Sequence, residues 1–311
     1  MHSSSGVKKV TVDRERSGQR LDNFLATQLK GVPRSAIYRL IRTGQVRING
    51  GRAKAATRLQ EGDEVRVPPA RTRETDAPQV SAEVQRAVLD SVLFEDDDLL
   101  IVNKAAGMAV HAGSGLPWGL IDALRQARPA DWFELVHRLD RETSGCLVLA
   151  RNGRALGQLS AQFRDGNVRK RYLCLLDGRL PEALVEVDAP LARSDDGSRR
   201  QMDVAEDGKP SLTRFHALGY FFDCTYAEAE LLTGRTHQIR AHARAIGLPL
   251  AGDARYGDRA ALKKWRGRGL RRVFLHAHRL ALTSPSGEAM EFDAPLPADL
   301  RAVLDTLEGG K

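Results

Sequence analysis

Asp140 stands in the run His137-Arg138-Leu139-Asp140-Arg141-Glu142-Thr143-Ser144-Gly145, which ends immediately before the apolar stretch Cys146 to Ala150. That stretch reads as a buried strand, so the polar side chains ahead of it sit at a strand edge with Ser-Gly supplying the turn. A rigid element there can hold a reacting group steady. A carboxylate so placed can attack an electrophilic carbon or take a proton. An isolated loop aspartate is more often a cap or a turn residue, and Asp140 needs partners before it counts as chemistry. Arg138 and Arg141 flank it, and a later segment, Gly234-Arg235-Thr236-His237-Gln238-Ile239-Arg240-Ala241-His242, is dense in donors without any acid. An arginine brought beside Asp140 would favour its ionised form, the form a carboxylate nucleophile requires.

Other chemistries fit less well. A glycosidase needs two carboxylates roughly 5 to 9 Å apart, one of them kept protonated, and Glu142 is the only sequence-adjacent candidate; two residues from Asp140 in a turn, it reads as a surface residue. For a metal site, His237 and His242 are poorly spaced, because residues five apart on a helix diverge by about 140°, and His276 and His278 would share a strand face where core or RNA contacts are the plainer reading. Cys146, Cys174 and Cys224 form no C-x-x-C pair and read as small buried side chains. No dinucleotide fingerprint, P-loop or zinc cluster is visible, so no cofactor and no metal is expected.

The elements that must position Asp140 fall into two groups. From Ser17 to Pro68 ten Lys or Arg residues face four Asp or Glu, an excess of six in a chain whose net charge is +8. Pro33 and Ser35 begin a helix whose apolar stripe is Ile37, Leu40 and Ile41, and Gly44 ends it. Val46 to Gly51 closes on an Asn-Gly turn, and Asp63 to Pro68 is a second short strand. Arg34, Arg39 and Arg42 share an arc of about 140° opposite the stripe, an arrangement that suits a phosphate backbone or, equally, a solvated basic face. Pro68 to Ala82 has linker composition. Beyond it, Leu99 to Asn103, Cys146 to Ala150, Tyr172 to Leu176 and Ala227 to Leu232 read as strands, with helices at Gly119 to Gln126 and Ala155 to Phe163, a mixed helix and strand domain. The basic run Lys263, Lys264, Arg266, Arg268, Arg271 and Arg272 is either a solvated loop or a further phosphate contact. No stretch approaches the roughly 20 apolar residues of a membrane span, and the polar residues 1–9 lack a secretory core, so the expected location is cytoplasmic.

Arg20-Leu21-Asp22-Asn23-Phe24-Leu25, Val32-Pro33-Arg34-Ser35 and Gly44 to Gly50 resemble the S4 RNA-binding domain. The runs at His137 to Gly145 and Gly234 to Arg240, with Lys170-Arg171-Tyr172 between them, closely match the motifs of the RluA-type family of pseudouridine synthases. Similarity continues through Gly252 to Gly257 and Leu275-His276-Ala277, covering essentially residues 10 to 300. The resemblance implies an α+β fold, with a small S4 domain at 17–68, a linker at 69–84 and a mixed, largely antiparallel-sheet catalytic domain at 85–305. It implies isomerisation of uridine to pseudouridine in 23S, large-subunit, ribosomal RNA by a monomer. Asp140 would be the nucleophile or base toward the ribose, either adding at C1′ or taking a C2′ proton. Tyr172 would stack on the uracil and help remove the C5 proton, Arg240 would pair with Asp140, and Arg138 would fill the space the flipped nucleotide leaves. Arg34, Arg39, Arg42, Arg47, Arg235 and His237 would meet RNA. One departure from the family pattern is Ala105, where proline usually follows the lysine equivalent to Lys104. The alternative is an RNA-binding ribosome-assembly factor that keeps this architecture without turnover.

Overall fold

The computed structural model describes residues 6–29, 32, 34–69, 78–113, 116–196 and 199–309, without the side chains of 34, 35, 195, 196, 199 and 200. Pro33, residues 70–77 of the expected linker and the Arg34 side chain thus lie outside the described residues.

The basic unit contains strand β1 (Lys8–Thr11), helices α1 (Leu21–Gln28) and α2 (Arg34–Arg42), and strands β2 (Arg47–Ile48) and β3 (Glu64–Val67), in sheet order β1-β3-β2. Because β1 is hydrogen-bonded along β3, the sheet of this unit begins ahead of residue 17. The helical stripe Ile37, Leu40 and Ile41 packs with Phe24, Leu25 and Val65, which leaves Arg39 and Arg42 exposed on the other side. Asn49 and Gly50 both have positive φ, 48° and 79°, as a two-residue turn of this kind requires.

The second unit opens with α3 (Ala82–Asp90), whose first turn is capped by the Ser81 hydroxyl. It continues through β4 (Val92–Glu95), β5 (Leu99–Lys104), α4 (Leu120–Ala127), β6 (Glu134–Leu135), β7 (Ser144–Ala150), α5 (Gly153–Asp165) and β8 (Arg169–Leu176). Then come β9 (Leu184–Asp188), the hairpin β10 (Leu191–Asp196) and β11 (Arg199–Val204), β12 (Leu212–Tyr220), β13 (Thr225–Leu231), α6 (Gln238–Ala245), α7 (Arg259–Gly267), β14 (Leu275–Thr283), β15 (Ala289–Asp293) and α8 (Ala298–Gly309). Among the described residues one ten-stranded sheet runs β4-β5-β7-β14-β8-β13-β12-β9, with β15 on β14 and β6 on β7. Its pairings are antiparallel except β7 with β14. The fold is therefore α+β with a largely antiparallel sheet. Strands β5 and β7 are continuous apolar runs because both faces are covered: Leu100, Val102, Leu147 and Leu149 join the core beside α4, while Leu99, Ile101, Val148 and Ala150 join the core beside α5. The three cysteines are free and buried. No helix among the described residues is long and apolar enough to cross a membrane.

The parallel seam between β7 and β14 is short, pairing His276 with Ser144 and Ala277 with Gly145. Gly145 has φ +114° there, and a Cβ on it would lie 2.2 Å from the Ala277 carbonyl oxygen, so only glycine fits. His276 is fully buried at this seam; its Nδ1 accepts from the Ser144 hydroxyl at 2.9 Å and its Nε2 donates to the Ala294 carbonyl at 3.1 Å. Both nitrogens are used by the neutral ring, and burial holds His276 down to about 4 from an ordinary 6.5. The unfolded chain then binds a proton that the folded chain refuses, so stability present above about pH 6.5 is lost as the pH falls toward 4. At pH 5 this loss amounts to about 2 kcal/mol. Urea unfolding at pH 7.5 and pH 5 should show a loss smaller by about this amount in His276→Gln than in the wild type, the buried His137 contributing to both; an equal loss in both would assign the acid sensitivity to other groups.

Candidate active site

Asp140 lies in the loop that leads into β7, just ahead of the seam, and its side chain is 28% exposed. The arginine beside it is neither of its sequence neighbours. Arg138 is exposed and makes no ion pair among the described residues, and Arg141 turns away to donate to the Gly107 carbonyl at 2.9 Å and to lie 3.6 Å from Glu142. Instead Arg240, in the first turn of α6, places Nη1 3.3 Å from Asp140 Oδ2. Arg240 is itself fixed: Nε and Nη2 each donate to Asp253 at 2.7 Å, a two-pronged pair with almost no solvent access. Asp253 also accepts from the backbone N–H groups of Arg255 and Tyr256. Although burial pushes the Asp253 carboxyl up, the bond and charge of Arg240 and these two N–H groups hold it below its ordinary value. The Tyr256 ring lies under the Arg240 guanidinium, 5.1 Å from its centre.

His237 reaches the same carboxylate. Its backbone is left-handed, φ +52°, unusual for a residue with a side chain. The turn sets Nε2 3.6 Å from Asp140 Oδ2 and Nδ1 3.1 Å from the Tyr256 hydroxyl. Gln238 secures this turn to β12, accepting from the Thr233 hydroxyl and the Arg235 N–H and donating to the Leu212 carbonyl and the Thr213 hydroxyl. The donor-dense run read in the sequence thus divides into two parts: Gln238 holds the loop, and Arg240 and His237 face Asp140. Arg235 stays exposed and donates to the Pro210 carbonyl, while Arg47 is half-buried and braces Gly44.

Tyr172 projects from β8 on the face shared with Lys170 and lines the cleft that holds Asp140. Burial first, and then the Asp140 charge, raise its phenol above the ordinary value, so at neutral pH the group is an uncharged hydroxyl. It can stack and relay a proton; it is not a phenolate base. The cleft has a volume of about 540 Å³ and is walled by Arg138, Lys170, Arg235 and Leu231 from the second unit and by Arg20, Asn23 and Arg58 from the first. On the other side of Asp140 and Arg240 a groove of about 800 Å³ carries Arg141, Arg255, Arg266, Arg271 and Arg272. The basic run at 263–272 is thereby sorted. Lys264 and Arg268 sit on the Trp265 ring and pair with Asp223, Lys264 also with Asp177, and Arg272 pairs with Asp299, whereas Arg266 and Arg271 line the groove.

Lys104, at the end of β5, is fully buried under the Asp140 loop. Its Nζ donates to the carbonyls of Ala105, Met108 and Arg141 at 2.9, 2.9 and 3.1 Å. Burial pushes the ammonium down to about 7, while Asp140 and Glu142 pull the other way. The alanine at 105 still presents its carbonyl to this lysine, a contact that needs no proline ring. Lys104→Met keeps the stem but strands the Ala105 and Met108 carbonyls, while that of Arg141 keeps the Gly107 N–H at 2.8 Å, and is expected to cost about 2 to 4 kcal/mol, read as a lower urea midpoint. A midpoint at the wild-type value would show that water replaces the ammonium.

Sequence reasoning assigned no individual role to Asp253, Tyr256, Gln238 or Lys104. The segment Gly252 to Gly257 carried a signal, an acid and an aromatic three apart after a glycine, but that Asp253 is buried beneath Arg240 is a tertiary fact. Among the described residues no three His, Cys, Asp or Glu side chains gather closely enough to hold a metal ion. His242 meets Thr213 and Ala189, and His278 meets Glu228.

A carboxylate at a sheet seam, a buried tyrosine two strands away and an arginine locked by a second acid, with a basic helical unit on the rim, describe an RNA-modifying enzyme. The family model of RNA pseudouridylate synthases matches residues 98–245 and that of the S4 domain matches residues 19–65, and the chain belongs to the pseudouridine synthase family. It is 46% identical over 303 residues to ribosomal large subunit pseudouridine synthase C of Yersinia pestis, covering 96% of this chain and 95% of that one. It is 45% identical over 312 residues to the protein of the same name from Escherichia coli strain K12, covering 98% of each. The structure of human RNA pseudouridylate synthase domain containing 1 superimposes with a TM-score of 0.59 at 32% identity, over 68% of this chain and 86% of that one.

Proposed function

We propose that this enzyme converts uridines of 23S ribosomal RNA, or of large-subunit assembly intermediates, to pseudouridine by chemistry that begins at Asp140. The observation that carries the reading is the Asp140 carboxylate held against Arg240 in a cleft it shares with the uncharged phenol of Tyr172. Near-full-length similarity to large-subunit synthases of that name supports the substrate. The N1–C1′ bond of the uridine breaks, the base turns, a C5–C1′ bond forms, and N1 ends with a proton in place of the one lost from C5. Atoms and electrons balance within the nucleotide. Asp140 either adds to C1′ or removes the C2′ proton, and both routes start from the ionised carboxylate that Arg240 and His237 face. Arg240 stabilises that charge and Tyr172 stacks on the uracil; as a neutral hydroxyl, Tyr172 accepts the C5 proton only while passing on its own. Arg138, exposed on the cleft wall, fills the gap left when the uridine is flipped, which offsets part of the few kcal/mol that unstacking costs.

Residues 17–68, with β1, form the RNA-anchoring unit, where Arg34, Arg39, Arg42 and Arg47 meet phosphates; 69–84 connect it to the catalytic unit at 85–305. The enzyme works as a cytoplasmic monomer. The deciding experiment is a pseudouridine map of unmodified large-subunit RNA, by carbodiimide-blocked reverse transcription, with and without the purified protein. New stops at discrete uridines are expected; their complete absence would leave an RNA-binding assembly factor.

A further inference from the structure

The basic unit rests on the catalytic unit through backbone contact. Gly153, the first residue of α5, faces the turn at Glu15 to Ser17 so closely that a Cβ on it would lie 2.0 Å from the Ser17 carbonyl oxygen and 2.6 Å from that of Glu15. The three atoms nearest to this Cβ all belong to that turn. Beside it the buried Gln19 amide donates to Glu134 at 3.0 Å, and Glu134 is neutralised by Arg125 at 2.8 Å. This seat puts two guanidinium groups of the basic unit into the wall of the Asp140 cleft. Arg20 gives Nε and Nη2 to Asp22, and Arg58 gives Nη1 to the Gly18 carbonyl. Among the described residues the remaining N–H groups of each have no hydrogen-bond partner. Fixed by those bonds, both are oriented before any ligand arrives, which is how a guanidinium binds an anion at low entropic cost.

We propose that Arg20 and Arg58 form a phosphate subsite of the active-site cleft, taking the RNA backbone beside the flipped uridine, and that the Gly153 seat and the Gln19–Glu134 bond hold it in register with Asp140. The inference rests on the reading of the chain as a ribosomal RNA pseudouridine synthase. Flipping a uridine into a cleft of this size swings its flanking phosphates toward the rim, and these two arginines are the cations that the basic unit places there. The basic unit is then part of the active site as well as a remote anchor.

The test uses full-length protein and a transcript of unmodified large-subunit RNA, with single-turnover conversion and binding followed against salt. Arg20→Gln with Arg58→Gln should lower kcat/KM by about tenfold or more and reduce the slope of log affinity against log salt by about 1 to 2. Gly153→Val removes no charge, yet by unseating the unit it should reproduce that loss in kcat/KM, and the triple variant should be no worse than either parent. Wild-type kcat/KM in Gly153→Val, or losses that add, would overturn the proposal. Should Gly153→Val not fold, the double arginine variant decides, because an unchanged salt slope removes the subsite. A wild-type protein that converts no uridine refutes the enzyme reading instead, and the salt slopes still judge the subsite.

Discussion

Asp140→Asn is expected to lower uridine conversion by on the order of 10⁴-fold or more while leaving RNA affinity and the melting temperature nearly unchanged. Asparagine has the same shape, and its carbonyl oxygen can still accept the 3.3 Å bond from Arg240 Nη1, so the loop ahead of β7 has no cause to move. The carboxylate is part-exposed and its partners are held by others: Arg240 by Asp253, His237 by Tyr256. What the substitution removes is a charged oxygen able to attack C1′ or take the C2′ proton, and an amide does neither. Asp140→Ala should behave the same way toward uridine. Single-turnover conversion on an RNA already bound to the protein separates chemistry from binding. Conversion within about tenfold of wild type would remove Asp140 from the reaction and make its place beside Arg240 an ordinary ion pair. Loss of affinity together with conversion would assign it to RNA binding.

The elements and the residues of the site were legible to different degrees. The apolar-run signals at Leu99 to Asn103 and Cys146 to Ala150 are local, and both segments are strands. The Asn49-Gly50 turn was equally local, because only residues tolerant of positive φ can make it. β1 escaped notice: Lys8 to Thr11 is short and polar, and it is a strand only because β3 offers it a hydrogen-bonding edge. The arginine that faces Asp140 could not be chosen from spacing. Arg138 and Arg141 are nearest in the chain, yet the fold leaves Arg138 exposed and turns Arg141 to the Gly107 carbonyl, whereas Arg240 arrives from a hundred residues away by way of the helix that Gln238 fastens. The basic run at 263–272 shows the same limit. Lys264 and Arg268 are consumed by acids from distant segments, and only the fold separates them from Arg266, Arg271 and the Asp299-paired Arg272 in the groove.

The acid under Arg240 controls both the stability of the site and its chemistry, and Asp253→Ala is the change that separates the two. The pair has almost no solvent access, so removing the carboxylate leaves a guanidinium buried without its two bonds and strands the N–H groups of Arg255 and Tyr256. Breaking one side of a buried pair in this way costs about 3 to 5 kcal/mol. Arg240 would then either drift toward solvent or collapse fully onto Asp140, and displacement of about 1 Å at a catalytic group costs on the order of 10²-fold in rate. Because Asp253 touches no surface open to RNA, kcat should fall with little change in KM. Asp253→Asn, which retains an acceptor for Arg240 and for the backbone, should recover most of the stability and part of the rate. A merely structural Asp253 would show the stability loss in both variants, with kcat per folded molecule unchanged. Equal drops in kcat and in folded fraction would therefore reduce this acid to a packing residue; a kcat loss that persists in the folded population assigns it the task of holding Arg240 on Asp140.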